Sequence, residues 1–206
     1  MVRITMGIIV KKIVWGMLLT GQLLISQQLF ADADPWQESY RLEGLYQYDA
    51  ALNALNGISS DNELALLRKG WLNYLKGSHS KSIDFYNKAI SKNSKSLDAR
   101  LGIMLPLMAQ QRWREVASHA NKVLDVAPWN YHAHVRLMAT QEALKQWSDL
   151  EKHARAVIER YPTDVDALVF LARALRQLGN NDAASQAYKK VLELVPTNFE
   201  ASQFIR

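Results

Sequence analysis

The sequence predicts an all-α fold in which antiparallel helix pairs stack side by side into an α-solenoid. Apolar residues recur at helical spacing, and the whole pattern repeats every 34 residues from Glu63 onward without insertion or deletion. The four units are 63–96, 97–130, 131–164 and 165–198. Every unit has an alanine at its third position, where a small residue lets helices approach closely: Ala65, Ala99, Ala133 and Ala167. Each pair has apolar surface on both sides, which it buries by stacking on a near copy of itself.

The composition is that of a helix-rich globular chain. Of 206 residues, 49% are hydrophobic and 22% are charged, with a formal net charge of +5. The chain has no cysteine. This excludes disulfides, thiolate metal sites, a cysteine nucleophile and a lipoprotein anchor.

The first 33 residues have the organisation of a secretory signal peptide. Positive residues (Arg3, Lys11 and Lys12) precede an apolar run at 13–25, and small residues follow at Ala31 and Ala33. The apolar run is shorter than the roughly 20 residues that a spanning helix needs. We therefore expect cleavage after Ala31 or Ala33 and export to the bacterial periplasm. The alternative is an uncleaved inner-membrane anchor with the repeats facing the periplasm.

Removal of this segment leaves a chain that is only mildly basic, because three of its cations lie there. The mature chain has no cluster of Lys and Arg combined with stacking aromatics, so we expect no nucleic-acid partner. It also has no predicted membrane span once the signal is removed.

Residues 34–62 predict an irregular helical hairpin ahead of the regular units. Asp34 can cap a helix whose first turn contains Pro35, and Gly44 permits a turn. Apolar residues then continue at helical spacing up to Asn56 and Gly57, which are typical of a helix end. An atypical terminal repeat is expected in a solenoid.

The unit 165–198 resembles a tetratricopeptide repeat. The large and small apolar places of its two helices are filled by Leu168, Leu171, Ala172, Leu175, Ala184, Tyr188, Val191 and Leu192. Gly179 provides the turn between them, and Pro196 closes the unit, as Pro128 and Pro162 close the two units before it. The resemblance covers 63–198 and implies a right-handed superhelix of helix pairs that binds proteins or peptides.

Several residues depart from the family pattern. The first unit has Lys69 in place of leucine and Ser94 in place of proline, and the second carries Pro106 inside its first helix, where proline favours a kink. The third unit has Met138, Gln141 and Leu150 where small, aromatic and small residues are usual. Residues 199–206 are expected to form a cap or to begin a further helix.

Family resemblance places the partner-binding groove on the concave face, lined by the first helix of each unit. The groove residues that it implies are Leu64, Leu67, Trp71, Tyr74, Leu101, Leu105, Met108, Val135, Glu142, Val169, Arg173 and Arg176. The first half is apolar and aromatic and suits an amphipathic helix or a hydrophobic peptide. Arg173 and Arg176, one turn apart, suit a carboxylate or another anion. Two alternatives stay open: Leu67, Trp71 and Tyr74 pack on the hairpin, or the arginines are solvated surface.

One known subset of the family grips chaperone C-termini with lysine and asparagine residues. Leu67 and Trp71 occupy two of those places, so that clamp is absent here. The sequence has no catalytic or metal-binding motif: His132 and His134 are expected to point to different sides of a helix, and no phosphate-binding or nucleophile loop occurs. We expect no enzyme activity, no cofactor and no metal.

Two functions fit these observations. The first is an exported scaffold or adaptor that binds a protein or peptide and helps to assemble or regulate a cell-envelope or secretion complex. The second is a non-catalytic carrier or accessory subunit whose apolar groove holds a lipid, a glycan or an exported polymer. The first is the favoured hypothesis. Solenoid ends can also associate edge to edge, so a homo-oligomer is a further option.

Overall fold

A computed structural model describes residues 34–205 of the chain. The predicted signal peptide lies outside these residues. The described chain divides after Ser59 into two compact units, and each is treated by itself. No helix in the described range has the length and hydropathy needed to cross a membrane.

The first unit contains helix α1 at Pro35–Gly44 and helix α2 at Tyr48–Asn53. Asp34 caps α1 by accepting a 3.2 Å hydrogen bond from the backbone N–H of Trp36. Between the two helices Tyr46 has a φ of 59°, in the left-handed region. Helix α2 ends at Asn53, three residues before the predicted stop at Asn56.

The described residues of the second unit form helices joined by turns, with no strand, which confirms the all-α prediction. Its helices are α3 (Glu63–Leu75), α4 (His79–Lys92), α5 (Leu97–Ala109), α6 (Trp113–Leu124), α7 (Tyr131–Ala143), α8 (Trp147–Arg160), α9 (Val165–Gln177), α10 (Asn181–Leu194) and α11 (Phe199–Ile205). They form four antiparallel pairs followed by the short α11. Helix α5 continues through Pro106 for three more residues.

The start of each first helix is fixed by a capping side chain. In every pair the residue before the helix accepts a hydrogen bond from the N–H of the alanine three positions on. The capping residues are Asn62, Ser96, Asn130 and Asp164, at 3.1, 3.3, 3.0 and 2.7 Å. These caps satisfy orphan N–H groups, which explains why each helix begins where it does.

The turn inside each pair uses a residue in the left-handed conformation at the same place. Two of the four are glycines, Gly77 with φ 80° and Gly179 with φ 81°. The other two are Gln111 with φ 56° and Lys145 with φ 57°. The geometry is therefore the same in all four turns, but only two have the residue that adopts it without steric cost.

The core of each pair combines one large and one small residue at two places that lie 16 positions apart. The combinations are Gly70 with Tyr86, Met104 with Ala120, Met138 with Ala154, and Ala172 with Tyr188. The last three combinations each share a buried cluster, and the Tyr86 ring lies against Gly70. A Cβ on Gly70 would come within 2.9 Å of that ring, and one on Gly102 would collide with it. The family usually has a small residue in place of Met138. The larger methionine fits here because Ala154, in the same buried cluster, is small.

The first helices of successive pairs, α3, α5, α7 and α9, contact one another, whereas the second helices have their main contacts with first helices. A row of helices in mutual contact lies on the inner side of a curved stack. The first helices therefore line the inner face of residues 60–205, where the predicted groove residues lie.

Candidate functional site

The first half of the inner face, on α3 and α5, is apolar and aromatic. Leu64 has 64% of its surface exposed. The other predicted residues on these two helices are half-buried: Leu67, Trp71, Tyr74, Leu101, Leu105 and Met108. The rings of Trp71 and Tyr74 lie 5.7 Å apart, and the Tyr74 ring lies 5.8 Å from that of His79. These contacts hold the two aromatic rings in place while leaving part of each accessible.

Arg136 is a groove residue that the sequence analysis missed. Its Nη1 donates a 2.6 Å hydrogen bond to the carbonyl oxygen of Leu101, so the side chain reaches from α7 to α5. Burial lowers the pKa of Arg136, and the neighbouring Tyr74 and Tyr86 act in the opposite direction. No carboxylate in the described part of the chain pairs with it. The result is a half-buried cation beside the apolar row, with guanidinium N–H groups left over.

A charged network occupies the other end of the inner face. Arg173 on α9 pairs with Glu200 on α11 at 2.6 Å and with Glu142 on α7 at 3.2 Å. The Tyr188 hydroxyl donates a 2.5 Å hydrogen bond to Glu200. The network links α7, α9 and α11, and it attaches α11 to the last helix pair. It explains why α11 is anchored although it has only seven residues.

The contacts of this network shift the pKa values of Glu200, Arg173 and Tyr188. The Arg173 hydrogen bond lowers the pKa of Glu200, and the same bond raises the pKa of Arg173. Burial raises the pKa of Tyr188, and its hydrogen bond to Glu200 adds to the effect. All three groups therefore keep their ordinary protonation states at neutral pH.

A cavity of about 230 Å³ lies at this network. Its lining residues are Glu142, Trp147, Arg173, Arg176, Gln177 and Glu200. Arg176 is exposed, lies 6.0 Å from the centre of the Phe204 ring, and has no ion pair with a described residue. Of the two predicted anion-binding arginines, Arg173 already holds two carboxylates of its own chain, and Arg176 is the one available to a partner.

The remaining predicted groove residues, Val135 on α7 and Val169 on α9, are half-buried. All twelve predicted residues thus lie on the first helices of their pairs, and their binding role stays a prediction. Among residues 34–205, no three or more His, Asp or Glu side chains come together in a way that would hold a metal ion.

Comparisons with known proteins agree with the helix-pair fold. The sequence model described as tetratricopeptide repeat matches residues 141–199. The fold is similar to that of YrrB, described as a TPR protein with an unusual peptide-binding site; the TM-score is 0.70 at 15% identity, over 82% of this chain and 89% of that one.

Two further solved structures are similar. MamA of Desulfovibrio magneticus RS-1 has a TM-score of 0.71 at 15% identity, over 78% of this chain and 93% of its own. TTC0263, a TPR protein of Thermus thermophilus, has a TM-score of 0.59 at 18% identity, over 82% and 95%. Among curated proteins no sequence match was found. At these identities the structural likeness shows the fold alone.

Proposed function

We propose that this chain, a tetratricopeptide repeat protein by its match at residues 141–199 and by its fold, is an exported adaptor without catalytic activity. Its inner face binds a protein or peptide partner, and the complex serves the assembly or regulation of a cell-envelope or secretion machine. The fold is consistent with protein binding, and YrrB, which shares it, is described as having a peptide-binding site.

The observation that carries the proposal is the apolar row of α3 and α5 with Arg136 beside it. Leu64, Trp71 and Tyr74 offer accessible apolar and aromatic surface to the side chains of a peptide. Arg136 offers guanidinium donors that no described carboxylate takes up. The occupant that satisfies both is a peptide with large apolar residues and a carboxylate next to them.

The far end of the inner face supplies a second, weaker point of attachment. Arg176 is the exposed cation there, beside the cavity that Glu142 and Glu200 also line. An acidic residue further along the same peptide would pair with Arg176. Because this pair is exposed, it contributes more to orientation and to the association rate than to affinity.

Export is proposed on the sequence of residues 1–33, with its positive residues, short apolar run and small residues at Ala31 and Ala33. The test is fractionation of cells that express the full chain, followed by N-terminal sequencing of the recovered protein. A periplasmic form beginning at Asp32 or Asp34 supports cleavage. A membrane-bound form beginning at Met1 supports the anchored alternative, and a cytoplasmic full-length form contradicts export.

Peptide binding is tested by selecting ligands from a displayed random-peptide library and measuring their affinity by fluorescence polarisation. Two variants change the proposed site: Leu64→Glu places a charge on an exposed groove position, and Arg136→Gln removes the cation. Lys122→Glu on α6 is the matched control, because it changes the charge of an exposed residue on a second helix. Circular dichroism melting checks that each variant folds.

We expect selected peptides to share apolar residues and an acidic one. Leu64→Glu and Arg136→Gln should each weaken binding by roughly tenfold or more, as loss of a side chain that the partner buries does, and Lys122→Glu should not. Equal binding by all four proteins would place the binding surface elsewhere. Selection of no peptide, together with lipid or glycan carried only by the parent protein, would favour the carrier function.

A further inference from the structure

The side chain of Tyr86 extends from a second helix towards the inner face. Tyr86 lies on α4, and its ring packs between Gly70 on α3 and Gly102 on α5. A Cβ on Gly70 would come within 2.9 Å of ring carbons, and one on Gly102 would lie 2.8 Å from the hydroxyl oxygen. Because α3 and α5 both line the inner face, the two glycines leave a gap through which an outer residue brings its hydroxyl to that face.

The Tyr86 hydroxyl has no hydrogen-bond partner among residues 34–205, although the residue is only 4% exposed. The atoms of the described chain that are both buried and unpartnered are ring nitrogens of His79 and His119. The hydroxyl oxygen of Tyr86, which is also unpartnered, therefore keeps contact with solvent. At the equivalent position of the last pair, Tyr188 donates its hydroxyl to Glu200. Buried hydroxyls normally find such a partner, so the Tyr86 hydroxyl is a donor available to another molecule.

Two further donors lie near this hydroxyl. Nη1 of Arg136 donates to the carbonyl oxygen of Leu101, which forms the peptide bond with Gly102, so the guanidinium and the Tyr86 hydroxyl lie at the same place on α5. The pKa of Tyr86 is raised mainly by burial; the charge of Arg136 lowers it and Tyr74 raises it, so all three groups are close enough to act on one another. The hydroxyl of Tyr74 likewise has no hydrogen bond to a described residue.

We propose that the hydroxyls of Tyr86 and Tyr74 and the guanidinium of Arg136 form one binding site for a carboxylate of the peptide that the inner face receives. The proposal rests on the proposed function of that face. It adds the group that is recognised and a recognition residue, Tyr86, that belongs to the second helix of its pair. A carboxylate has two oxygens with about four acceptor positions, which three donor groups can fill.

The charge of the site favours a carboxylate over a phosphate. Arg136 supplies one positive charge, and both tyrosine hydroxyls are neutral donors. Burial raises the pKa of Tyr86, so its hydroxyl keeps its proton at neutral pH. One cation balances the single negative charge of a carboxylate, whereas a phosphate dianion would retain a negative charge in a half-buried place. The carboxylate can belong to an acidic side chain or to the C-terminus of the peptide, and the experiment separates these two sources.

The test measures how the full chain binds three forms of one acidic peptide selected from the displayed library. The first form is the selected peptide, the second has its acidic residue replaced by the corresponding amide, and the third has an amidated C-terminus. Fluorescence polarisation gives the affinities. Tyr86→Phe is the main variant, because it removes one oxygen atom and leaves the ring between the two glycines. Tyr188→Phe is the matched control, since its hydroxyl is used within the chain.

We expect Tyr86→Phe to weaken binding of the selected peptide by roughly tenfold, as loss of a hydrogen bond to a charged group does. The effect should fall to less than about twofold for whichever peptide form lacks the recognised carboxylate, which identifies its source. Tyr74→Phe should act in the same direction. Tyr188→Phe should leave the affinity unchanged. Because the Tyr86 hydroxyl has no described partner, Tyr86→Phe should not lower the Tm, whereas Tyr188→Phe should.

Three results would overturn this inference. In the first, Tyr86→Phe binds the selected peptide as the parent does, which leaves peptide binding by the inner face intact. In the second, Tyr86→Phe weakens all three peptide forms equally, so that the hydroxyl does not contact a carboxylate. In the third, Tyr86→Phe lowers the Tm as much as Tyr188→Phe, which would give the hydroxyl a structural role. Absence of binding by any peptide would instead contradict the proposed function itself, and this inference with it.

Discussion

The two outer helix pairs, 63–96 and 165–198, and the two inner pairs, 97–130 and 131–164, fill equivalent space with different residues. Each outer pair combines a tyrosine on its second helix with Gly or Ala on its first, and each has a glycine turn. Each inner pair combines methionine with alanine and turns at Gln111 or Lys145. Protein cores are close-packed. We therefore infer that the combined volume of the two side chains is kept similar from pair to pair, whereas the residue at either position is free to vary.

The two tyrosines are themselves held differently. Tyr86 lies against the backbone of Gly70 and Gly102, so shape complementarity fixes its ring. The ring centre of Tyr188 lies 4.8 Å from that of Phe204, and the Tyr188 hydroxyl donates a hydrogen bond to Glu200. One end of the repeats is thus secured by close packing beside the apolar groove, and the other by a charged network that also attaches α11.

The strongest test of this comparison gives the outer pair 63–96 the combination of methionine and alanine that the inner pairs have. Tyr86→Ala should cost about 3–5 kcal/mol of unfolding free energy, since it opens a cavity. Gly70→Met should cost about 1–3 kcal/mol through overpacking. The double variant should be more stable than the sum of the two changes implies, by about 1–3 kcal/mol, because methionine fills the space that tyrosine vacates. Urea unfolding measures all three, and additive costs would show that the two places do not share one volume.

Glu200→Gln tests the charged end. It weakens the pairing with Arg173 and the bond from Tyr188, and we expect a loss of about 1–2 kcal/mol, since charge-assisted hydrogen bonds are among the stronger ones but this one is partly exposed. Because the folded-state pKa of Glu200 is lowered, its contribution exists above its unfolded pKa and is lost as pH falls through the folded value. The variant should therefore show a shallower loss of stability in acid.

Glu142→Gln is the matched control for that experiment, because its contact with Arg173 is longer, at 3.2 Å. It should have a smaller effect on the melting temperature. An equal effect from both substitutions would mean that the network stabilises the protein by pairing Arg173 with a carboxylate, and not by attaching α11.

An inner pair gives a pH dependence of a different origin. Burial lowers the pKa of His119 on α6 to about 4, with the charges of Arg100 and Lys122 adding to the effect. The unfolded chain therefore takes up this proton first, and stability falls as pH drops from about 6.5 towards 4. His119→Leu should remove this slope and raise stability at pH 5 by about 1 kcal/mol, a value reduced for partial exposure.

Thermal melts of the His119 variant at pH 5 and pH 7.5 make the measurement, with His132→Gln as the control for removing an exposed imidazole. An unchanged difference between the two pH values would assign the acid sensitivity to other groups. Since Nδ1 of His119 is buried without a hydrogen-bond partner in the described chain, leucine leaves no described group unpaired.

The smallest effect concerns the turns. Gln111→Gly and Lys145→Gly should each stabilise the protein by about 0.5–1 kcal/mol, since glycine adopts the left-handed conformation without steric cost. Gly77→Gln and Gly179→Lys, the reverse exchanges, should destabilise it by a similar amount. Chemical denaturation of the four variants suffices, and the same sign for both sets would contradict the account of the turns.

The repeat, the helical fold and the family resemblance could be read from the sequence because they depend on spacing within one unit. The 34-residue period predicted helix pairs, and their fold is confirmed. The compensation between Met138 and Ala154 was missed, because comparing each place with the family pattern treats it separately. Only the packed structure shows that two such places share a volume.

The site was predictable only in part, for related reasons. The inner-face positions follow from the family pattern, but Arg136 lies outside the places considered and reaches the groove through its long side chain. Glu200 binds Arg173 from a helix beyond the last complete unit. The position of the Tyr86 hydroxyl depends on the space left by glycines on two neighbouring helices, which no spacing rule encodes.

The central claim is that the inner face of the first helices receives the partner. The most direct measurement is photo-crosslinking in living cells. One variant of the full chain carries the photo-crosslinking amino acid in place of Leu64, a second variant carries it in place of Lys122, and cells that express either one are irradiated. We predict a discrete crosslinked protein from position 64 and none from position 122, with the first product lost when Arg136→Gln is added. The same product from both positions, or one from position 122 alone, would contradict the account.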